Sequence, residues 1–146
     1  MKKSGRRVIV NFIIFTVSFV AGIALAQSNR MFAQWYQQTL LEGDSLKETR
    51  RTLNPAVFGI STKAAAAYKV AKERPEVLSK LFCYCYCAKN PNLKHKSLLT
   101  CYVDTHAVAC SICINSALKA DKMTKEGASP QKIAESLAAY YLDKKR

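Results

Sequence analysis

The chain has 146 residues and a net charge of +13, from 23 lysines and arginines against 10 acidic residues. This length is enough for one domain with a modest hydrophobic core. The basic residues are scattered rather than aligned with aromatic residues, which argues against a nucleic acid-binding surface and leaves either a solvated basic surface or one attracted to an anionic membrane.

The first 26 residues have the pattern of an export signal. Four basic residues precede a nearly apolar run, residues 8–26, which ends in the small-x-small sequence Ala24-Leu25-Ala26. This pattern predicts a signal peptide cleaved after Ala26. The run is also at the short end of what spans a bilayer, so an uncleaved membrane anchor is the alternative. In both cases we expect the rest of the chain outside the cytoplasm, in a periplasm or anchored and facing outward.

The next part of the chain divides into an arm and the start of a helical domain. Residues 27–52 are polar with scattered aromatics, and we predict a membrane-proximal arm there; residues 53–146 form the predicted Cys-rich helical domain. Ser61 or Thr62 can cap an alanine-rich helix over residues 63–73. A second short helix follows Pro75 and extends to about Phe82.

Two further helices are predicted near the C-terminus. Asp104 or Thr105 caps a long helix that reaches about Glu126 and is closed by Gly127. Ser129 and Pro130 begin the last helix, whose apolar side carries Ile133, Leu137, Tyr140 and Tyr141. Strand signals are weak throughout. The sequence therefore predicts a mostly α fold, a small helical domain with an irregular Cys-rich segment after an N-terminal signal or anchor helix.

All six cysteines lie between residues 83 and 113, a clustering that packing alone does not require. Such clusters usually bind metal, form disulfides or carry out thiol chemistry. Cys83, Cys85 and Cys87 alternate with two tyrosines, and an extended or turn-like backbone would bring their thiols together, whereas a helix would spread them apart.

The predicted long helix carries the second half of the cluster. His106, Cys110 and Cys113 are spaced i, i+4 and i+7, so on one continuous helix they would share a face near its start. The positive end of the helix dipole favours thiolate over thiol there. Asp104 is most simply a helix cap.

The cysteine cluster is compatible with three chemistries. The first is a metal site for Cu(I), with Zn(II) as second choice, because thiolates select soft metals. Its candidate ligands are Cys83, Cys85, Cys87, Cys101, Cys110, Cys113, His106 and His95. His95 is the weakest of these, because it lies between two lysines and is expected to be exposed.

The second chemistry is a disulfide framework, in which each of the three clustered cysteines pairs with one of the later three. The third is thiol–disulfide exchange by Cys110 and Cys113, with His106 as their base. No carboxylate pair or Gly-rich phosphate loop points to another activity.

An ordered set of motifs resembles a known family. The set comprises Cys83-Tyr84-Cys85-Tyr86-Cys87, the segment His95 to Cys101, Asp104-Thr105-His106 and Cys110-Ser111-Ile112-Cys113. Together they resemble the CYCXC or PCYCGC-motif proteins of bacteria, with a likeness from about Leu53 through Tyr141. In this chain Phe82 stands at the Pro of the PCYCGC form and Tyr86 at its Gly.

The resemblance implies an exported protein or lipoprotein of the bacterial envelope without a settled biochemical role. Some relatives are selenoproteins, which favours soft-metal binding or redox chemistry over purely structural bridges. We therefore predict an exported, non-enzymatic metal-binding protein for handling or sequestering Cu(I) or Zn(II). The alternatives are an envelope thiol–disulfide redox protein, which would be an oxidoreductase, and a disulfide-stapled interaction domain.

Overall fold

The computed structural model describes residues 4–43, 46–59 and 62–143, and it describes side chains from residue 21 onward. Within these ranges the chain is built from helices and connecting turns, and no strand occurs in them. The predicted mostly α fold with an irregular Cys-rich segment is therefore confirmed. Contacts divide the chain into two compact units, Met1–Gln34 and Trp35–Arg146.

Every described residue of the first unit belongs to helix α1, Ser4–Glu42, which ends inside the second unit. The predicted basic start at Lys2 and Lys3 lies outside the described residues. Over the described ranges, no helix combines the length and the apolar character needed to cross a membrane. The cleavage after Ala26 stays a prediction.

The second unit opens with the last turns of α1, whose inner face is buried. Tyr36, Gln37 and Leu40 are each at most 9% exposed. A 3-10 helix, Pro55–Phe58, then begins at the cap Asn54, whose side chain accepts the N–H of Ala56. The predicted arm therefore contains buried residues of the domain at its helical end.

Helices α2, Lys63–Glu73, and α4, Ser111–Lys125, pack against each other at the centre of this unit. Each helix buries two alanines completely, Ala67 and Ala71 on α2 and Ala117 and Ala120 on α4. Small buried side chains let helix backbones approach closely, which leaves little space for a larger residue. The largest fully buried side chains of the unit are aromatic residues and leucines: Tyr68, Tyr102, Phe82, Leu78, Leu81 and Leu98.

The predicted capping residue of α2 is confirmed, because the Thr62 hydroxyl accepts the N–H of Ala65 at 3.0 Å. The alternative cap, Ser61, lies outside the described residues. Helix α3, Pro75–Leu78, starts at the predicted proline but ends four residues earlier than predicted. The chain then turns inward, and the buried Leu81 and Phe82 lead it to Cys83.

The last helix, α5, Pro130–Ala138, also begins as predicted, with the Ser129 hydroxyl accepting the N–H of Lys132 at 3.3 Å. Ile133 and Leu137 are buried against the rest of the unit. A single π-helical turn, Ala139–Asp143, follows and directs Tyr141 onto Tyr84, with ring centroids 5.2 Å apart.

The prediction of one long helix from Asp104 to Glu126 is wrong in its first third. Asp104 caps a separate 3-10 helix, Thr105–Ala109, by accepting the N–H of His106 at 2.7 Å. Cys110 is then extended, with φ −101° and ψ 98°, and it caps α4 with its own sulfur. The shared helical face proposed for His106, Cys110 and Cys113 therefore does not exist. The C-terminal end was predicted correctly, because Gly127 follows α4 with φ +84°.

Candidate metal centre

The Cys83–Cys87 segment forms a tight turn, one of the conformations that can gather its thiols. The N–H of Tyr86 donates to the carbonyl of Cys83 at 3.0 Å, and Tyr86 itself is left-handed, with φ 62°. Cys87 then starts a 3-10 helix, Cys87–Lys89. The turn brings the sulfurs of Cys83 and Cys85 to within 3.1 Å of each other.

Two sulfurs from elsewhere in the chain complete a group of four. The Sγ of Cys83 lies 3.4 Å from that of Cys101 and 3.4 Å from that of Cys113, while Cys85 and Cys113 are 3.8 Å apart. All four sulfurs lie within 4.8 Å of one another. A disulfide bond is about 2.05 Å long, and all six cysteines are free thiols. Four thiolates around one tetrahedral ion, at about 2.3 Å each, are separated by about 3.8 Å.

The elements that carry these sulfurs are held by hydrogen bonds to the core. Cys101 lies in a 3-10 helix, Leu99–Tyr102, and Cys113 lies in the first turn of α4. The Tyr102 hydroxyl joins the two elements by donating to the carbonyl of Cys113 at 2.7 Å. Because Tyr102 is fully buried, it fixes the position of Cys113 relative to Cys101.

Helix α1 supports the entry to the Cys83 turn through one side chain. The Gln37 amide accepts the N–H of Phe82 at 2.7 Å and donates to the carbonyl of Lys80 at 2.9 Å. The backbone immediately before Cys83 lies outside helices and sheets, and the Gln37 side chain provides hydrogen bonds for it. The sequence gives no signal of this role for Gln37, since a glutamine in a polar segment has no distinguishing pattern.

The remaining cysteine of the turn and both histidines lie beside the four-sulfur group. The Sγ of Cys87 is 2.9 Å from Nε2 of His106, and the Sγ of Cys101 is 3.3 Å from Nδ1 of His95. The two imidazole rings meet edge to face, with centroids 4.7 Å apart. The structure therefore places five cysteines and two histidines in one cluster.

His95 is buried, at 6% exposure, although its two lysine neighbours made exposure the expectation. The cause is Tyr36, whose hydroxyl donates to the carbonyls of His95 and Lys96 at 3.0 and 2.6 Å. Tyr36 thus anchors this part of the backbone on α1, and the His95 imidazole contacts the sulfur of Cys101.

Cys110 is the one predicted ligand that falls outside the metal-capable groups found among the described residues. Its sulfur accepts the N–H of Cys113 at 3.4 Å and so satisfies the start of α4. Burial raises the pKa of the Cys110 thiol to about 12. Thiol exchange needs a thiolate, so this environment is unfavourable for Cys110 as the attacking group.

The pKa values of the clustered thiols are shifted in different directions. Hydrogen bonds from Cys101, Cys113 and Cys83 lower the pKa of Cys85 far below that of an ordinary thiol, and those from Cys101 and Cys83 lower the pKa of Cys87 to about 3. Conversely, the hydrogen bond with Cys113 raises the pKa of Cys101. The hydrogen bond with Cys101 lowers the pKa of Cys83, but those with Cys113, Cys85 and Cys87 outweigh it and hold that pKa well above normal. Cys83 and Cys101 therefore hold their protons more tightly than Cys85 and Cys87 do.

The pKa values of the two histidines shift in opposite directions. Burial lowers the pKa of His95, which favours the neutral imidazole that can ligate a metal. Burial also disfavours the charged form of His106, but hydrogen bonding to Cys85 and the charge of Cys87 outweigh it and raise the pKa of that histidine. His106 therefore interacts with the anionic side of the cluster.

These features define a class: a small helical protein with a cluster of cysteines and histidines close enough to hold a metal ion. The family model described as a protein of unknown function with PCYCGC motif matches residues 14–145. The chain therefore belongs to the PCYCGC-motif family, as its motifs predicted. No curated protein and no solved structure matches it.

The turn explains one position of the family motif. The fifth letter of PCYCGC is glycine, and Tyr86 stands there in this chain. With φ 62°, this position has the left-handed conformation that glycine adopts without steric cost. The tyrosine offsets its strain in part by packing its ring against Phe82, with centroids 5.5 Å apart. The glycine of the PCYCGC motif therefore indicates a turn at this position, although this chain has Tyr86 there.

Proposed function

We propose that this protein binds a soft metal ion through Cys83, Cys85, Cys101 and Cys113 and serves to handle or sequester it. The observation that carries the proposal is the convergence of four sulfurs, all within 4.8 Å of one another and with four of the six separations at 3.1–3.8 Å, although all four are free thiols. Three separate elements supply these sulfurs, and apolar packing alone gives no reason for them to meet.

The geometry bears on the choice between the two metals. A tetrahedral set of four sulfurs is typical of Zn(II), and a divalent ion neutralises more of the buried thiolate charge than a monovalent ion does. We therefore place Zn(II) first for this set. Cu(I), the first choice from the sequence, is the competing metal, and its softness matches the same ligands.

Handling or sequestration fits the surroundings of the site better than catalysis does. Four protein ligands leave no open position for a substrate. Cys85 is only partly buried, whereas Cys83, Cys101 and Cys113 are at most 2% exposed. One edge of the site is therefore accessible for loading or release of the ion.

Export and domain organisation belong to the proposal. Residues 1–26 would act as a signal or anchor, residues 27–52 as a membrane-proximal arm and residues 53–146 as the Cys-rich domain, outside the cytoplasm. The support is the leader-like sequence pattern. The residues after Ala26 keep 19 of the 23 lysines and arginines against 10 acidic residues, and this net charge of +9 supports contact with an anionic membrane surface. In an oxidising compartment, bound metal would protect the clustered thiols from disulfide formation.

Metal content and thiol state test the proposal together. The full chain is expressed in medium with Zn(II) and, separately, with copper, then purified anaerobically for elemental analysis and for thiol counting after denaturation. We expect bound metal and six free thiols. Three disulfides without metal would refute the proposal in favour of a structural framework.

Two serine variants provide a matched comparison. Cys113→Ser removes a sulfur of the group and should lose the metal. Cys110→Ser removes a nearby thiol outside the group and should retain it, because serine is a better helix cap than cysteine at the start of α4. Equal metal loss in both variants would contradict the assigned ligands.

A further inference from the structure

Cys87, His95 and His106 are not used by the four-sulfur site, yet they border it. We propose that the cluster holds two metal ions, which share the sulfurs of Cys85 and Cys101 as bridges. The inference rests on the proposed function and extends it from one ion to a dinuclear centre.

The groups of candidate metal ligands overlap. Cys85 belongs both to the four-sulfur group and to a group with Cys87 and His106, and within each group the ligand atoms lie within 4.8 Å of one another. Cys101 belongs both to the four-sulfur group and to a group with Cys87 and His95. Each of these two sulfurs is thus within reach of both ions, and bridging is the ordinary way in which one thiolate serves two metals.

The distances between the histidine nitrogens and the cysteine sulfurs also support a second ion. His106 Nε2 lies 2.9 Å from the sulfur of Cys87, and His95 Nδ1 lies 3.3 Å from the sulfur of Cys101. A sulfur and a nitrogen bound to the same tetrahedral ion are separated by about 3.5 Å, from bond lengths of about 2.3 and 2.0 Å. Cys87 contributes to both of the groups that contain a histidine, so it is the central ligand of the second ion.

Both histidines are held in place from outside the cluster. Tyr36 fixes the backbone of His95 by donating to its carbonyl, and Asp104 fixes that of His106 by accepting its N–H. Ligands oriented by neighbouring hydrogen bonds are a regular feature of metal sites.

The negative charge of the thiolate cluster also favours a second ion. With Cys83, Cys85, Cys87, Cys101 and Cys113 all as thiolates, one divalent ion leaves the cluster with a net charge of about −3, and a second reduces it to about −1. Buried charge is costly unless it is compensated. An imidazole that ligates a metal is neutral, so His95 and His106 add no charge when bound, and the second ion improves the electrostatic balance of the whole site.

Anaerobic titration of the full chain with Co(II) tests this inference, because cobalt occupies thiolate sites and reports on them spectroscopically. We expect thiolate-to-cobalt charge-transfer absorption that saturates at two equivalents per chain. The paramagnetic resonance signal should grow over the first equivalent and fall over the second, since thiolate bridges couple the two ions magnetically.

Two serine variants test whether a second ion depends on Cys87. Cys87→Ser should bind one equivalent and lose the coupling, whereas Cys110→Ser should bind two and retain it. Circular dichroism of each variant checks that the helices remain, and the coupling in the unaltered chain provides evidence that needs no variant.

The outcomes distinguish the two levels of the proposal. No cobalt binding would overturn the proposed function as well. Saturation at one equivalent, unchanged by Cys87→Ser, would overturn the dinuclear centre and leave the single four-sulfur site in place. Two equivalents with additive, uncoupled signals would refute the bridging by Cys85 and Cys101.

Discussion

Metal affinity should rise steeply with pH, because at least two of the sulfurs that bind the ion are protonated in the metal-free protein. The pKa of Cys101 is raised mainly by its hydrogen bond with Cys113, and the pKa of Cys83 is also raised by its thiol neighbours. At neutral pH both therefore carry protons, which the metal must displace. A rise in pH weakens this competition and tightens binding.

The size of the effect follows from the number of protons. Cys83 and Cys101 each release one proton, so at least two protons leave when the four-sulfur site binds an ion, whereas the lowered pKa of Cys85 means that its sulfur needs no such displacement. Release of at least two protons changes the dissociation constant by about 100-fold or more per pH unit. This slope should hold from about pH 6 to pH 8, below the raised pKa values of Cys83 and Cys101 and above the lowered pKa of Cys85.

The assay is a competition titration with a chromophoric zinc chelator, repeated anaerobically across that pH range and corrected for protonation of the chelator. Cys110→Ser serves as the control and should show the same slope, because Cys110 is not among the ligands. A dissociation constant that changes by less than about threefold per pH unit would refute the assigned protonation states.

Three further predictions concern stability, each measured by urea unfolding of the metal-free protein. Gln37→Ala removes the side-chain acceptor of the Phe82 N–H and should cost about 1–3 kcal/mol; no loss would show that this contact is dispensable. Arg50 lowers the pKa of buried Glu48 to about 2, so Glu48 contributes stability above pH 4.5 that disappears as pH falls toward 2. Because Arg50 is 55% exposed, this contribution should be about 1–2 kcal/mol; Glu48→Gln should remove that pH dependence, and an unchanged profile would contradict it. Ala67→Leu should cost about 1–3 kcal/mol by overpacking the contact between α2 and α4, and a neutral effect would disprove tight packing there.

Local signals in the sequence were sufficient for most helix ends. Thr62, Ser129 and Gly127 act where capping preferences place them, since these interactions involve residues close in sequence. The break at Cys110 was not predictable in the same way. No glycine or proline marks it, and it depends on a cysteine sulfur serving as the helix cap.

The sequence also indicated that the thiols converge, but not which of them meet. Spacing on a presumed continuous helix grouped Cys110 with Cys113, whereas the structure groups Cys113 with Cys83, Cys85 and Cys101. The burial of His95 depends on Tyr36, a residue 59 positions away in the chain. Such long-range contacts have no local sequence signal, so the composition of the cluster required the fold.

Zinc-edge X-ray absorption on the full chain loaded with one equivalent of Zn(II) shows whether four cysteine sulfurs hold the metal ion. We expect a coordination sphere of four sulfurs at about 2.3 Å. A sphere made of oxygen and nitrogen neighbours, without sulfur, would contradict it.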